Sequence, residues 1–389
     1  MPRIRFQTLA VSLALGLVPG TVPAAPHAFV SVATEPDARA VRVIDLATMT
    51  VETTIGNVGD EPGRMVANAA RSQIWLSSWR YLPPLNEARV HRIDTALRQV
   101  VATAAVGIRQ NRTIALSPDE SRVYTWKQES VDGVDTIAVA VLDAMTLAEI
   151  AVVPISGPSC LQFASQIAVA PDGRIVAAGC SDGLRIIDPL TLVVTIGATP
   201  PLSSSAILGF SPDGAEVYVS NASAASNGNA GVRAIDLGTG VGSEFYWSVT
   251  GNPVGFPQGS SAVRMIVVQR PADPPGDPTV FFAYDSTWGN PPVAWARSSD
   301  LAPAGGPRQR RLIGRASVGP ASSLGASVDG TSGLGARMGG IRRVAFGASP
   351  GDAVVASDGD IITLAGVGPL TDIIVLPPFV DRLFADDFD

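Results

Sequence analysis

Short apolar runs alternate with polar punctuation along most of this chain, and the punctuation repeats. The runs Thr50 to Ile55, Gln99 to Val106, Ala148 to Val153 and Leu192 to Ile196 are rich in Val, Ile and Thr. That length and composition predict strands. Before each run stands an Asp that itself closes an apolar segment: Val43-Ile44-Asp45, Arg92-Ile93-Asp94, Val141-Leu142-Asp143 and Ile186-Ile187-Asp188, with a fifth copy at Ala234-Ile235-Asp236. Thr48, Thr146, Thr191 and Thr239 follow three places later, and only the copy at Asp94 lacks the Thr. An Asp carboxylate accepts hydrogen bonds from backbone N–H groups two residues on, and a Thr hydroxyl closes the same turn. Each motif therefore predicts a strand, a tight turn and a returning strand. These Asp residues read as turn-formers, not as catalytic acids.

A second signal lies between the Asp anchors: Ser117-Pro118-Asp119-Glu120, Ala170-Pro171-Asp172-Gly173, Ser211-Pro212-Asp213-Gly214 and, loosely, Ser349-Pro350-Gly351-Asp352. Pro suits the first central position of a type I turn and Gly the left-handed position after it. The flanking runs, such as Gln166 to Val169 with Arg174 to Ala178, make a second hairpin. Two hairpins give four antiparallel strands in each repeat of 45 to 49 residues, the pattern of a β-propeller blade. Ser211-Pro212-Asp213-Gly214, Val217-Tyr218-Val219-Ser220-Asn221 and Ala234-Ile235-Asp236 with Thr239 resemble the YVTN-type β-propeller repeat, also found in lactonase-like propellers of the WD40-like superfamily. The resemblance covers about Phe29 to Gly251 and implies a fold, not an activity. The expected architecture is all-β and seven-bladed, with six or eight blades as alternatives, over residues 25–378. Innermost strands are expected to start near Arg64, Arg112, Gln166, Ala206, Val263 and Arg342. The N-terminus supplies only the later strands of another blade, so the C-terminus should return beside it and remove the free edges.

Composition narrows the classes. With 46% hydrophobic and 16% charged residues the chain can bury a large core, and a net charge of -7 argues against nucleic acid. Arg3 and Arg5, the apolar stretch Leu9 to Val18 and Val22-Pro23-Ala24 resemble a secretory signal over residues 1–24, and the apolar stretch is too short to be a stable membrane anchor. The expectation is a periplasmic or secreted bacterial monomer. Export makes Cys160 and Cys180 candidates for one disulfide across the hairpin turned at Pro171-Asp172-Gly173.

Chemistry is thinner. His27 and His91 are the only histidines, so neither a transition-metal cluster nor a Ser-His-Asp triad has ready material. Asp60, Glu61, Asn111, Asp132, Asp285 and Asn290 could serve a divalent cation, as in metal-dependent lactonase propellers, but no repeated placement singles them out. Arg64, Arg112, Arg264 and Arg342, with Arg343, start expected inner strands and could ring a channel that holds a small anionic ligand. Trp79, Tyr81 and Trp288 are candidate partner-surface aromatics, whereas Trp75, Trp126 and Tyr218 fall within strands and should be core. The irregular stretch 253–340 and the acidic, aromatic tail 379–389 fit no repeat; the tail resembles short sorting tags of secreted bacterial proteins. The reading is a binding or interaction scaffold with no assignable catalytic motif. The alternatives are a lactonase-like hydrolase with a channel-bound cation, or a heavy-chain-like subunit of a periplasmic dehydrogenase.

Overall fold

The protein is described from a computed structural model. It describes residues 27–32, 40–46, 48–82, 85–108, 113–131, 134–155, 166–180, 183–197, 207–221, 230–240, 242–247, 261–268, 273–277, 279–285, 292–297, 314–317, 321–326, 332–337, 340–346, 353–355, 361–363 and 370–375. The signal-like segment, the 379–389 tail and the Ser349-Pro350 turn lie outside these residues.

The described secondary structure is all strand. Chain order begins with β1 (His27–Val32), β2 (Ala40–Asp45) and β3 (Thr50–Ile55). Sheet B follows as β4 (Glu61–Ala67), β5 (Gln73–Leu82), β6 (Leu85–Asp94) and β7 (Gln99–Ile108). Sheet C comprises β8 (Ile114–Leu116), β9 (Arg122–Val131), β10 (Val134–Asp143) and β11 (Glu149–Pro154). Sheet D comprises β12 (Ile167–Val169), β13 (Ile175–Cys180), β14 (Gly183–Ile187) and β15 (Val194–Ile196). Sheet E is β16 (Ile207–Phe210), β17 (Glu216–Asn221), β18 (Ala230–Asp236) and β19 (Gly242–Trp247). Sheet F is β20 (Ser261–Val268), β21 (Thr279–Asp285), β22 (Pro292–Arg297) and β23 (Gly314–Ser317). Sheet G is β24 (Ala321–Ala326), β25 (Ser332–Arg337), β26 (Gly340–Phe346) and β27 (Ala353–Val355), with β28 (Ile361–Thr363) also paired to β26. The last strand, β29 (Leu370–Val375), pairs with β1 and completes sheet A in the order β29-β1-β2-β3.

The described strands thus form seven sheets of antiparallel neighbours, which follow chain order except where β29 heads sheet A and β28 joins β26 in sheet G. The first strands pack in sequence, β4 on β8, β8 on β12, β12 on β16, β16 on β20 and β20 on β24. β24 then packs on β29 and β29 on β4, which closes a ring. Sheet A takes its innermost strand from the chain's end, with Phe29 opposite Ile374.

The sheets stick together because their middle strands are apolar on both faces. Ile74 and Leu76 join Phe29, Val43 and Met65 between sheets A and B, while Trp75 between them points the other way, to Val123 and Leu142 of sheet C. Val139 and Val141 face Ile175 and Ile187 of sheet D, whereas Ala140 and Leu142 face sheet B. Val176 turns toward Leu208 and Val217 of sheet E. Strand side chains alternate between faces, so a strand buried on both sides reads as an unbroken apolar run. Each fully buried Val, Leu or Ile stabilises by roughly 1.5–3 kcal/mol. Trp75 and Tyr218 are buried, and Trp126 packs against the core between sheets C and D, as their positions in strands predict.

Both turn motifs take the expected shape. Asp143 Oδ1 accepts from the N–H of Met145 and Thr146 and from the Thr146 hydroxyl, and Asp188 does the same with Leu190 and Thr191. Asp236 holds Gly238 and Thr239; Asp94, lacking the Thr, still holds Ala96 and Leu97. Every copy then places its next residue in the left-handed region: Met49, Arg98, Leu147, Leu192 and Gly240 have φ of 54°, 54°, 59°, 57° and 70°. In the second motif Ser117 and Ser211 accept from Glu120 and Gly214, four-residue turns closed at 2.9 Å. Sheet B makes the same turn without Pro or Asp, Asn68 accepting from Arg71 at 2.9 Å.

Candidate functional site

Alternating strand direction sorts the connections into two groups. The Asp motifs and the Ser-Pro-Asp turns lie at one end of the sheets. The far ends of the strand pairs β5–β6, β9–β10 and β13–β14, and the ends where one sheet's last strand stops and the next sheet's first begins, lie opposite. The inner strands β4, β8, β12 and β16 all begin at that second end, so their leading residues define one mouth of the central channel.

At this mouth sheets B and C stand above their neighbours. β5, β6, β7, β9 and β10 have 10 residues each, against 6 and 5 for β13 and β14 of sheet D. Their turn ends are aligned, Gln73 opposite Asp94 and Arg122 opposite Asp143, so the surplus projects from the mouth. Four or five extra residues at about 3.3 Å each make a wall of roughly 15 Å. Trp79 sits in it half-buried and donates its indole N–H to Asn86 Oδ1. Glu87 and Arg89 pair at 2.5 Å, and Lys127 reaches both Glu129 and Glu149 at 2.8 Å.

The head of β4 is held from two sides, by β5 and by β1. Asp60 donates its N–H to Trp79 O at 2.9 Å, and Glu61 lies opposite Trp79 in the ladder. Ser31 donates to Gly63 O from sheet A at 3.1 Å, and Ser77 donates to Arg64 O at 3.3 Å. The next inner strands are tied to each other in the same manner: Thr113 Oγ1 accepts from Ile167 N at 3.0 Å, and Gln166 Oε1 accepts from Leu208 N at 2.8 Å. The polar groups at the head of each inner strand thus become links between sheets.

Beneath the wall lies His91, 1% exposed. Its Nε2 meets the Ser78 hydroxyl at 2.8 Å and its Nδ1 the Thr103 hydroxyl at 2.9 Å. Burial, reinforced by the Arg89 charge, pushes its pKa down from 6.5 to about 4. Ser78 is fully buried and Thr103 stands where a triad needs a carboxylate, so this pair is a brace and not a nucleophile with its base. His27 does other work: it joins Glu52 at 2.7 Å, and Arg98 donates to the same carboxylate, clasping sheet A to sheet B. The Arg98 hydrogen bond is the main cause of the lowered Glu52 pKa.

The residues expected to ring the channel part company. Arg64 is half-buried on inner strand β4, and Arg264 lies on inner strand β20, opposite Ala283. Arg342 does not start an inner strand. It lies on β26, the third strand of its sheet, opposite Gly335, and the inner place belongs to β24 in the Gly/Ser/Ala-rich stretch. The apolar Ile341 to Phe346 run resembles other strand starts, while β24 carries almost no large apolar residue to mark it. Arg112, Asn111, Asp132, Trp288, Asn290 and Cys160 lie outside the described residues. Tyr81 is opposite Asn86 in the β5–β6 hairpin, and Cys180 ends β13 opposite Gly183. Among the described residues no three His, Cys, Asp or Glu side chains gather as a metal site, and no helix is long and apolar enough to cross a membrane.

A second concavity, about 440 Å³, opens at the turn end between sheets D and E, lined by Ile186, Asp188, Val193 and Arg174. Arg174 is committed there to Asp172 at 2.6 Å and to Gly214 O at 3.0 Å.

No protein-family model matches the chain, and no curated protein matches it. Solved structures do. The periplasmic gluconolactonase of Pseudomonas aeruginosa is 16% identical over 90% of this chain and 99% of its own, with a TM-score of 0.64. A candidate 6-phosphogluconolactonase from Bacteroides fragilis is 14% identical over 92% and 99%, also at 0.64. The Swd1 β-propeller domain of Myceliophteria thermophila is 12% identical over 77% and 86%, at 0.52. At such identities the likeness shows the fold, a β-propeller, which the closed ring of inner strands describes independently.

Proposed function

We propose that this chain is an exported propeller whose seven sheets are seven blades and whose raised mouth binds a small anionic ligand or a protein partner. The observation behind this reading is the wall of sheets B and C, which stands beside the head of β4 and sets Trp79 opposite Glu61, three residues before Arg64. An aromatic and a guanidinium on adjacent strands near one mouth would suit a compact ligand with an apolar face and a carboxylate or phosphate. Periplasmic residence fits the signal-like N-terminus, and N-terminal sequencing of exported protein should begin near Ala25.

Calorimetric titration with sugar acids and sugar phosphates tests the site. Arg64→Ala and Trp79→Ala should each weaken binding by about tenfold, near 1.4 kcal/mol. Wild-type affinity in both variants would falsify the placement. The second reading, lactone hydrolysis, is supported by the gluconolactonase likeness alone. Turnover of a lactone panel that chelation abolishes would move the assignment to it.

A further inference from the structure

The polar line beneath the wall crosses sheet B from its outer strand to the channel mouth. Thr103 stands exposed on β7, His91 is buried on β6 and Ser78 is buried on β5. The line continues into the turn before β4. A side-chain carbon placed on Gly59 would lie 2.6 Å from Ser78 Oγ, and the Gly59 φ of +86° already favours glycine. The backbone there rests directly on the serine hydroxyl. The next residue, Asp60, is hydrogen-bonded to Trp79.

We propose that Thr103, His91 and Ser78 form a positioning line that fixes Gly59 and Asp60, and with them the head of β4, at the channel mouth, and that proton uptake by His91 releases it. The neutral ring offers one donor and one acceptor, which matches two hydroxyls that can each play either part. The imidazolium has two donors and no acceptor, so the hydroxyl that donates to the neutral ring must turn and accept; we assign that donor to Ser78, whose turn resets the contact it makes under Gly59. Thr103 supplies the proton's route, because its exposed hydroxyl touches the buried ring.

His91 shares its face with Ile93, toward sheet A. The charged groups on the surrounding elements are Glu87, Arg89, Arg92 and Asp94 on β6, Arg80 on β5, Asp60 in the turn, Glu61 and Arg64 on β4, Arg42 and Asp45 on β2, and Glu52 on β3, which Arg98 and His27 already hold. β7 carries no charged residue. Arg89 is the charge that acts on the ring, and it opposes protonation, as burial does.

This inference rests on the mouth being the working face, but its test needs no ligand. NMR titration of the full-length protein should show the His91 ring changing with a midpoint of about 4. The Gly59 amide and the Trp79 indole N–H should move with the same midpoint, and His91→Gln should remove that component. Thr103→Val, at an exposed position, keeps the fold and should displace the His91 and Gly59 midpoints together. A Gly59 titration identical in wild type and His91→Gln, or midpoints that separate in Thr103→Val, would overturn the proposal. A mouth that binds nothing would defeat the functional reading above while leaving these shifts intact.

Discussion

Trp75 donates its indole N–H to the backbone oxygen of Ala144, 2.8 Å away, across the boundary between sheets B and C. The ring is 2% exposed and lies among Val90, Val123 and Leu142. Trp75→Phe keeps an aromatic ring but leaves that oxygen without its donor and opens a small cavity. The expected cost is about 2–3 kcal/mol, read as a lower urea midpoint with an unchanged slope.

Stability should depend on pH through His91. Its pKa is lowered from 6.5 to about 4 on folding, so the unfolded chain holds more protons between those values. The stabilisation is complete above pH 6.5 and drains away as pH falls toward 4, by about 3 kcal/mol in all. His91→Gln should flatten that part of a stability-against-pH curve. A separate loss belongs to Asp119, lowered from 3.8 to about 2 chiefly by the Ser117 hydroxyl, then by Ser121. That window opens below pH 3.8 and survives in His91→Gln, so the two contributions separate on one plot.

Gly107 allows the two tall sheets to touch. A β-carbon there would meet the backbone oxygen of Gln128 at 2.6 Å, and backbone cannot swing aside as a side-chain tip can. Gly107→Ala should therefore cost about 1–3 kcal/mol despite adding a single methyl. A melting temperature equal to wild type would show that β7 and β9 are free to separate.

The left-handed position after each Asp motif makes a comparative prediction. Gly240 takes it without penalty, while Met49, Arg98, Leu147 and Leu192 carry side chains there. Gly240→Val should cost about 1–2 kcal/mol, since a β-branched side chain is poorly tolerated at positive φ. The measurement is thermal or chemical denaturation against wild type, and an unchanged midpoint would mean that the turn relaxes.

Much of the fold was legible because its punctuation is local. Asp188 with Thr191 and Ser211 with Asp213 build their turns from residues within three places of each other, so the pattern survives in one dimension. The β3 limits, Thr50 and Ile55, were readable for the same reason. Legibility failed where the turn's chemistry changed or the strand lost its apolar signature. Asn68–Arg71 uses an Asn where other blades use Pro and Asp, and Ala321–Ala326 is too small-residued to announce an inner strand, which displaced Arg342 from its expected place. The candidate site was readable only in part. Arg64 and Trp79 could be named from type and position, but the Ser78–His91 contact joins residues 13 apart across a ladder and depends on a register that no local signal encodes.

The pairing of β29 with β1 also governs how the molecule comes into being. Phe29 meets Ile374, so the ladder that shuts the ring joins residues separated by nearly the whole chain. Earlier sheets can zip up locally as they emerge, but sheet A has no innermost strand until the last one arrives. Such distant pairing is paid for in loop-closure entropy and slows folding. Closure of the ring is therefore expected late in folding, and until it happens β1 offers an open edge to any strand that finds it first.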